Sequence, residues 1–178
     1  MNRKAILVAL LILFSFSAWA QAAPPAPGPE VKKLDYFVGS WTAEATIAPG
    51  PWGPGGKFSS SDKAEWMDGN FFVIFHSDFK MPPELGGEGK ELSVMGYDPQ
   101  QNAYIDEEFN SQGQHLSWKG TVSGDTWTWT GDANYGGQDI KQKITMKTLS
   151  PTSYSMKLET SIDGTNWMTF MEGKATKK

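Results

Sequence analysis

The densest cluster of acidic side chains in the sequence is Asp106-Glu107-Glu108. In a strand, Asp106 and Glu108 point to one side and Glu107 to the other, so the length of the following turn decides which carboxylate faces inward. A carboxylate inside an apolar interior can orient a polar group of a ligand or transfer a proton. We take Glu107, with Asp62 and Gln142, as candidate interior polar residues; the alternative is that these groups lie in solvent.

The two histidines, His76 and His115, are the other candidates for acid–base chemistry, since imidazole titrates near neutral pH. Alternation along their strands places both on the face opposite the apolar residues, so we expect structural or solvent-exposed roles. The chain has no cysteine, which excludes thiol catalysis, disulfides and cysteine-ligated metals. We predict no catalytic residue, no metal site and no cofactor, and we consider an enzyme less favoured than a binding protein.

The N-terminal segment has the pattern of a secretory signal peptide. Basic residues Arg3 and Lys4 precede an almost wholly apolar run over 5–16, and Ala18-Trp19-Ala20 provides the small residues that a signal peptidase recognises. The apolar run is too short for a transmembrane helix, which needs about 20 residues. We predict a signal peptide over 1–20, cleaved after Ala20, and a periplasmic or secreted protein with no membrane anchor after cleavage.

Removal of this segment leaves 158 residues with 14 basic and 20 acidic side chains, a net charge of −6. An acidic surface disfavours nucleic acid as a partner. A Pro/Ala-rich linker is predicted over 21–29, followed by one domain over 30–178. The oligomeric state is left open.

Apolar and polar residues alternate along most of this domain, as in half-buried strands. Short turn sequences such as Asp163-Gly164 separate the strands without helical intervals, which predicts an antiparallel meander. Closing such a meander removes its exposed edges. We therefore predict a short helix within 30–37 and a ten-stranded, all-β, antiparallel up-and-down β-barrel, with strands near 40–47, 58–67, 71–79, 91–97, 103–110, 114–122, 126–131, 138–148, 153–161 and 166–174.

Pairing residues across each turn identifies the side chains that share the inner face. The predicted interior is apolar and rich in aromatic rings, and these residues are the candidate ligand-binding set: Trp66, Phe71, Val73, Phe75, Trp118, Trp127, Trp129, Ile144, Met156, Trp167 and Met171. They either fill the barrel as core or line a cavity. The long segments 48–57 and 80–90 are candidate loops at its mouth.

A short helix followed by Gly39-Ser40-Trp41 resembles the entry to lipocalin-like barrels of the calycin group. Further motifs in the same order make the chain similar to the bacterial domain of unknown function family 1579 (DUF1579) over about 34–175; they include Glu65-Trp66, Phe75-His76-Ser77, Gly96-Tyr97-Asp98, Lys119-Gly120-Thr121-Val122 and Met171-Glu172-Gly173-Lys174. The resemblance implies a lipocalin-like barrel without an established activity, in which Gly39 and Trp41 are structural and Lys174 or Lys177 packs on the indole ring.

The chain resembles nitrobindin, a haem-binding barrel, but it differs at the residues that would bind haem. Its first strand reads Gly-x-Trp-x-Gly-x-Gly, whereas Ala43 and Ala45 replace the later glycines here, and no histidine follows His115. We therefore expect no haem. The leading hypothesis is an exported, non-enzymatic barrel that binds a small apolar or aromatic ligand. The alternatives are a small enzyme that uses an interior carboxylate and a filled barrel that acts as a protein-interaction module.

Overall fold

The structure is a computed structural model that describes residues 26–135 and 137–178. The signal peptide predicted over 1–20 and the first part of the linker lie outside these residues. A four-residue helix, α1 (Pro29–Lys32), continues into a 3-10 turn over Lys33–Tyr36. Proline suits the first position of a helix because its missing N–H has no partner there. None of the helices in the described ranges is long and apolar enough to cross a membrane.

Ten antiparallel strands follow and form a closed barrel. Each strand pairs with the next along the chain, and β1 pairs with β10, so the up-and-down order predicted from the sequence is confirmed. The strands are β1 (Gly39–Ile47), β2 (Gly56–Trp66), β3 (Phe72–Lys80), β4 (Glu88–Asp98), β5 (Ala103–Asn110), β6 (His115–Ser123), β7 (Thr126–Tyr135), β8 (Gln138–Ser150), β9 (Ser153–Ser161) and β10 (Met168–Lys177).

The N-terminal helical segment seals one end of the barrel. Leu34 and Phe37 are almost wholly buried among the aromatic residues of the core. The Tyr36 hydroxyl donates to the backbone oxygen atoms of Ser150 and Ser153, at 3.1 and 2.9 Å. These bonds attach the segment to the β8–β9 turn, so the interior is closed on this side.

Trp41 and a lysine from the last strand complete the sealed end. The indole ring is 2% exposed, and Lys177 Nζ lies 5.0 Å from its centroid. Of the two lysines proposed from the sequence, Lys177 makes the contact, whereas Lys174 is exposed. Gly39 has a φ of 128°, and the stem of Lys177 lies 3.4 Å from where a Cβ would stand. A cation on an indole face contributes about 0.5–1 kcal/mol when exposed.

The opposite end is surrounded by longer connections. Loops 48–55, 81–87, 111–114 and 162–167 all lie there, because alternate connections of a meander emerge at the same end. The loop 81–87 contains a second 3-10 turn, Pro83–Leu85. Both segments predicted as mouth loops are at this end, although β2 and β4 extend further into them than the sequence pattern indicates.

Candidate functional site

The barrel encloses a cavity of about 700 Å³ that reaches the mouth. Trp118 and Trp129 line its inner part, and Trp52 and Leu85 from the two long loops line its opening. The barrel is therefore not filled with side chains, which removes the premise of the protein-interaction alternative. Pockets of about 300–1,000 Å³ suit drug-sized molecules.

Two glycines make room for these tryptophan rings. A Cβ on Gly120 would lie 2.5 Å from the Trp129 ring, and a Cβ on Gly131 would lie 2.9 Å from the Trp118 ring. Gly120 pairs with Trp129, and Gly131 with Trp118, across β6 and β7. Each ring thus covers a glycine on the neighbouring strand, so the two indoles lie close to the barrel wall and leave the centre open.

The cavity has one acidic wall. Four carboxylic side chains line it from three strands: Asp62 of β2, Glu91 of β4, and Asp106 and Glu108 of β5. A fifth, Glu84, lines the cavity from the loop 81–87. Asp62 pairs with Ser77, and Ser77 pairs with Glu91, so the groups on β2 and β4 are separated by one small residue.

The other wall, on β8, β9 and β10, is largely apolar. β9 and β10 lie across the barrel from β4 and β5, because five strand positions separate opposite walls of a ten-stranded barrel, and β8 adjoins β9. The apolar lining there consists of Ile140, Ile144, Met146, Met156, Leu158, Phe170 and Met171. The cavity is therefore amphipathic, with carboxylates on one side and aliphatic or thioether groups on the other.

Burial raises the pKa of the carboxyl groups on the acidic wall. Burial, followed by repulsion from Asp106 and Asp62, raises the pKa of Glu91 to about 7. Burial also raises the pKa of Asp106 to about 7, against a hydrogen bond from the Ser93 hydroxyl. For Glu108, burial and then repulsion from Glu91 and Asp106 raise the pKa well above its usual range. These groups therefore share few negative charges at neutral pH while the cavity is free of a cation.

The Asp62 carboxyl group, at the edge of this cluster, has serine hydroxyls as hydrogen-bond donors. Ser60 Oγ donates to Asp62 Oδ2 at 2.9 Å. Burial raises the pKa of Asp62, and hydrogen bonds from Ser77 and Ser60 oppose the rise.

Three buried polar atoms facing the same cavity have no protein hydrogen-bond partner: Trp118 Nε1, Gln142 Oε1 and Thr160 Oγ1. They lie on one row of cross-strand neighbours from β5 to β9. The successive residues of this row are Asp106, Trp118, Gly131, Gln142 and Thr160. Trp118, Gln142 and Thr160 are all less than 10% exposed. Buried polar atoms are normally hydrogen-bonded. Glu108 lies near the Trp118 indole N–H, so this donor is not isolated, and Gln142 Oε1 and Thr160 Oγ1 are the atoms of this row that can bind a polar group from outside the protein.

No lysine, arginine or histidine is found among the described residues that line the cavity. The described ranges also contain no group of three or more acidic or histidine side chains arranged to hold a metal ion. The site consists of hydrogen-bond acceptors, hydroxyls and apolar surface.

Most of the residues predicted to face inward do so. Phe75, Trp118, Trp129, Ile144, Met156 and Met171 line the cavity, together with Asp62 and Gln142. Trp66, Val73 and Trp127 belong to the packed core between the cavity and the sealed end. Trp66 also donates from Nε1 to Asp35 Oδ1 at 2.8 Å, so its position is structural. Whether the cavity-lining residues bind a ligand stays a prediction.

The predicted placement of Glu107 inside the barrel is wrong. Glu107 faces outward and accepts hydrogen bonds from Ser117 Oγ at 2.6 Å and from His115 Nε2 at 2.8 Å. The hydrogen bond from Ser117, more than that from His115, lowers the pKa of Glu107. The physical reason is the strand register: Asp106 pairs directly with the inward Trp118, so the next residue must point out.

Trp167 and Phe71 are also misplaced by the sequence prediction. The turn around Asp163 covers 162–167 instead of two residues, so Trp167 precedes β10, and Lys143 Nζ lies 4.5 Å from its ring outside the cavity. A bulge between Thr169 and Met171 brings Met171 inside. Phe71 lies in the turn before β3, at the sealed end, and is half-buried there.

Sequence reasoning missed Glu91 and left the inward positions of Asp106 and Glu108 undecided. The usable signal was the cross-strand pair of Asp106 with Trp118, whose inward position the β6–β7 turn indicates. The sequence indicates the inward position of Glu91 less clearly, because its strand carries apolar residues on the outer face.

Both histidines lie on the outer surface, as the sequence predicts. His76 is exposed on β3, and the His115 ring stacks on exposed Phe109 at a centroid distance of 4.7 Å. Neither imidazole reaches the cavity, so acid–base chemistry inside the barrel falls to the carboxyl groups.

Solved structures with a similar backbone are also barrels. The crystal structure of Rv2717c from M. tuberculosis superposes with a TM-score of 0.58 at 10% identity, covering 85% of this chain and 98% of that one. Lower scores are found for a de novo designed fluorescence-activating β-barrel (0.45, 14% identity, 82% of this chain and 96% of that one), and for EF1p2_mFAP2b bound to DFHBI (0.38, 12% identity, 83% and 98%). At these identities the likeness to Rv2717c shows the fold alone.

A search of the curated proteins gives no match. The comparison with protein families matches residues 26–177 to the family described as protein of unknown function (DUF1579). The match covers nearly every described residue, including the five acidic residues of the cavity and both long mouth loops. The chain therefore belongs to the DUF1579 family.

Proposed function

We propose that this protein is a non-enzymatic binding protein that takes a small molecule with an apolar or aromatic body into its barrel. The observation that carries the proposal is the cavity of about 700 Å³, sealed at one end and open at the other. A cavity of this shape can cover most of the surface of a small ligand, which is the usual source of small-molecule affinity.

The apolar wall provides the binding energy in this proposal. Met156, Leu158 and Met171 present flexible or branched apolar groups, and thioethers adapt to irregular ligand shapes. Each square ångström of apolar surface removed from water contributes about 25 cal/mol. An aromatic body lying against this wall would gain several kcal/mol, from which the cost of immobilising the ligand must be subtracted.

A pair of leucine substitutions tests the proposal. Leu158→Trp places a large ring in the cavity, whereas Leu149→Trp makes the same change on the outer face, where Leu149 is 51% exposed. We expect naphthalene-based probes, measured by isothermal titration calorimetry, to bind Leu158→Trp at least about tenfold more weakly than wild type. Leu149→Trp should match wild type.

Two results together would overturn the proposal. The first is that neutral, cationic and anionic naphthalene probes all fail to bind the delipidated wild-type protein. The second is that native mass spectrometry of the purified protein finds no retained small molecule. Equal loss of binding in both leucine variants would also count against the cavity as the site.

The buried carboxyl groups favour one alternative function, a small enzyme that uses Asp106 or Glu108 as a general acid or base. Carboxyls with raised pKa values inside a cavity are suited to proton transfer near neutral pH. This alternative predicts conversion of a bound molecule that is lost in both Asp106→Asn and Glu108→Gln. Unchanged ligand after prolonged incubation with wild-type protein would dismiss it.

We also propose that the chain is exported to the periplasm or secreted after cleavage following Ala20. The basic start, the apolar run and the small residues before position 21 support this proposal. Intact-mass measurement of protein from the periplasmic and culture fractions should show a chain that begins at Gln21. A full-length chain confined to the cytoplasmic fraction would contradict export.

A further inference from the structure

The acidic wall of the cavity has no cationic partner within the protein. Glu91, Asp106 and Glu108 line a space where, among the described residues, neither lysine, arginine nor histidine is present. The described salt bridges of the barrel use other carboxylates, such as Glu159 and Asp132, on the outer surface. Buried carboxylates are normally paired or hydrogen-bonded, so this wall is matched to a positive charge from outside the chain.

The hydrogen-bonding capacity of the site points the same way. The Ser93 hydroxyl occupies one oxygen of Asp106, and the other acidic side chains contribute further acceptor atoms. Gln142 Oε1 is a buried acceptor without a partner, and Gln142 is 3% exposed. In their ionised forms Glu91, Asp106 and Glu108 are acceptors only, whereas Trp118 Nε1 is a donor beside them. A ligand group that carries several N–H donors satisfies this set best.

The position of the acidic wall relative to the apolar wall defines the rest of the ligand. Glu91 and Glu108 lie on β4 and β5, across the barrel from Leu158 and Met171 on β9 and β10. A molecule that spans the cavity would place a polar end on one wall and an apolar body on the other. Trp118, between the two walls, offers an indole ring that is compatible with an aromatic body or a cation.

We propose that the ligand of this barrel is a protonated amine with an apolar or aromatic body, whose ammonium group is held by Glu91, Asp106 and Glu108. The inference rests on the proposed function and specifies the chemical class of its ligand. Binding brings the positive charge that these carboxylates lack, and it supplies donors for their free oxygens and for Gln142 Oε1.

Such binding releases protons from the acidic wall. The titratable groups that face this position are Asp62, Glu91, Asp106 and Glu108, together with the hydroxyls of Tyr135 and Tyr154. Burial raises the pKa of the two tyrosines, so they stay neutral. An ammonium ion favours ionised carboxylates, so its affinity should increase as the pH rises from 6 to 8, whereas a neutral ligand should show no such increase.

Three probes of the same shape test the inference: 2-naphthylmethylamine, 2-naphthylmethanol and 2-naphthoate, titrated calorimetrically at pH 7.5. We expect the amine to bind at least about tenfold more tightly than the alcohol, since a hydrogen bond between an ammonium group and a carboxylate is stronger than one between neutral groups. The anionic naphthoate should bind most weakly. Glu91→Gln and Glu108→Gln should each reduce the preference for the amine over the alcohol to less than about threefold.

The control is Glu107→Gln, which makes the same change on the outward face of the same strand. It should keep the full preference for the amine. Affinity for the alcohol should be unchanged in Glu107→Gln. In the two cavity variants the alcohol is the reference probe, because a general loss of the cavity weakens both probes whereas loss of the acidic contact removes the preference for the amine. If the alcohol binds wild-type protein as tightly as the amine, or if the preference survives in both cavity variants, this inference is overturned while the binding function stands. If none of the three probes binds, this inference is overturned, and the binding function is overturned with it when native mass spectrometry also finds no retained small molecule.

Discussion

At the level of single residues, Glu91, Asp106 and Glu108 oppose folding at neutral pH. Their pKa values in the folded protein lie above those of an unfolded chain, chiefly because of burial. Below about pH 4 both states hold these protons. Between that pH and about 7 the unfolded chain has lost them and the folded protein keeps them, so the free energy of unfolding falls as the pH rises.

We therefore predict that the free energy of unfolding, measured by urea denaturation, decreases between pH 5 and pH 8. Each such carboxyl contributes a slope of up to about 1.4 kcal/mol per pH unit. Glu91→Gln should make the slope shallower because it removes one titrating group. Glu107→Gln should leave it unchanged, since the lowered pKa of Glu107 places its own contribution at more acidic pH. A wild-type free energy that stays constant or rises over this range would contradict the prediction.

At the level of the strands, alternation was sufficient to predict ten elements and their order but not the inward face of β4 and β5. On these two strands Leu92 and Phe109 are exposed, at 39% and 48%, while Glu91 and Glu108 line the cavity. The usual rule that apolar residues face inward fails because the cavity here is partly polar. Only the cross-strand partner of a residue with a known face, such as Trp118 for Asp106, determines the orientation.

Loop length was the other limit of prediction from the sequence. The dipeptide Asp163-Gly164 is typical of a two-residue hairpin turn, but the connection extends over 162–167. The side chain of Asp163 accepts hydrogen bonds from the backbone N–H groups of Thr165 and Asn166, at 2.8 and 2.7 Å. These bonds stabilise a wider loop, and this stabilisation depends on backbone geometry that residue pairing does not specify.

The β1–β10 pairing that closes the barrel has a position where only glycine fits. A Cβ on Gly173 would lie 2.2 Å from the backbone oxygen of Glu44 and 2.5 Å from Ala45 Cα. We predict that Gly173→Ala lowers the free energy of unfolding by about 1–3 kcal/mol, because backbone atoms of the neighbouring strand must move. Gly50→Ala is the control, since no atom lies within 4 Å of that position. Equal unfolding midpoints in urea for both variants would refute this account of the β1–β10 contact.

At the level of the whole molecule, the barrel is closed at one end and open at the other, and the two ends have different roles. The helical segment with Leu34 and Phe37 seals the base, and Lys177 and Trp41 stabilise it away from the cavity. The loops at the mouth contribute residues to the cavity itself. Because buried packing closes the base and the cavity reaches the mouth, the ligand proposed above would enter and leave through the mouth loops.

Trp52 is placed to control that passage. Its ring lies 6.1 Å from the ring of Phe170 on β10 and 6.5 Å from that of Tyr135 on β7, measured between centroids. Three strands separate β1 from β7 around the barrel, so the β1–β2 loop that carries Trp52 reaches across the opening. A side chain in this position obstructs entry and exit alike, which changes the rates of binding more than the affinity.

We predict that Trp52→Ala raises both the association and the dissociation rate constants of 2-naphthylmethylamine, each by roughly tenfold, as followed by stopped-flow fluorescence. The equilibrium affinity should change less than either rate, because the obstruction acts on both directions of the same passage. Trp167→Ala is the matched control: this tryptophan also precedes a strand at the mouth, but its ring lies against Lys143 outside the cavity. Unchanged rates in Trp52→Ala, or an equal acceleration in Trp167→Ala, would show that the ligand does not pass beneath the β1–β2 loop.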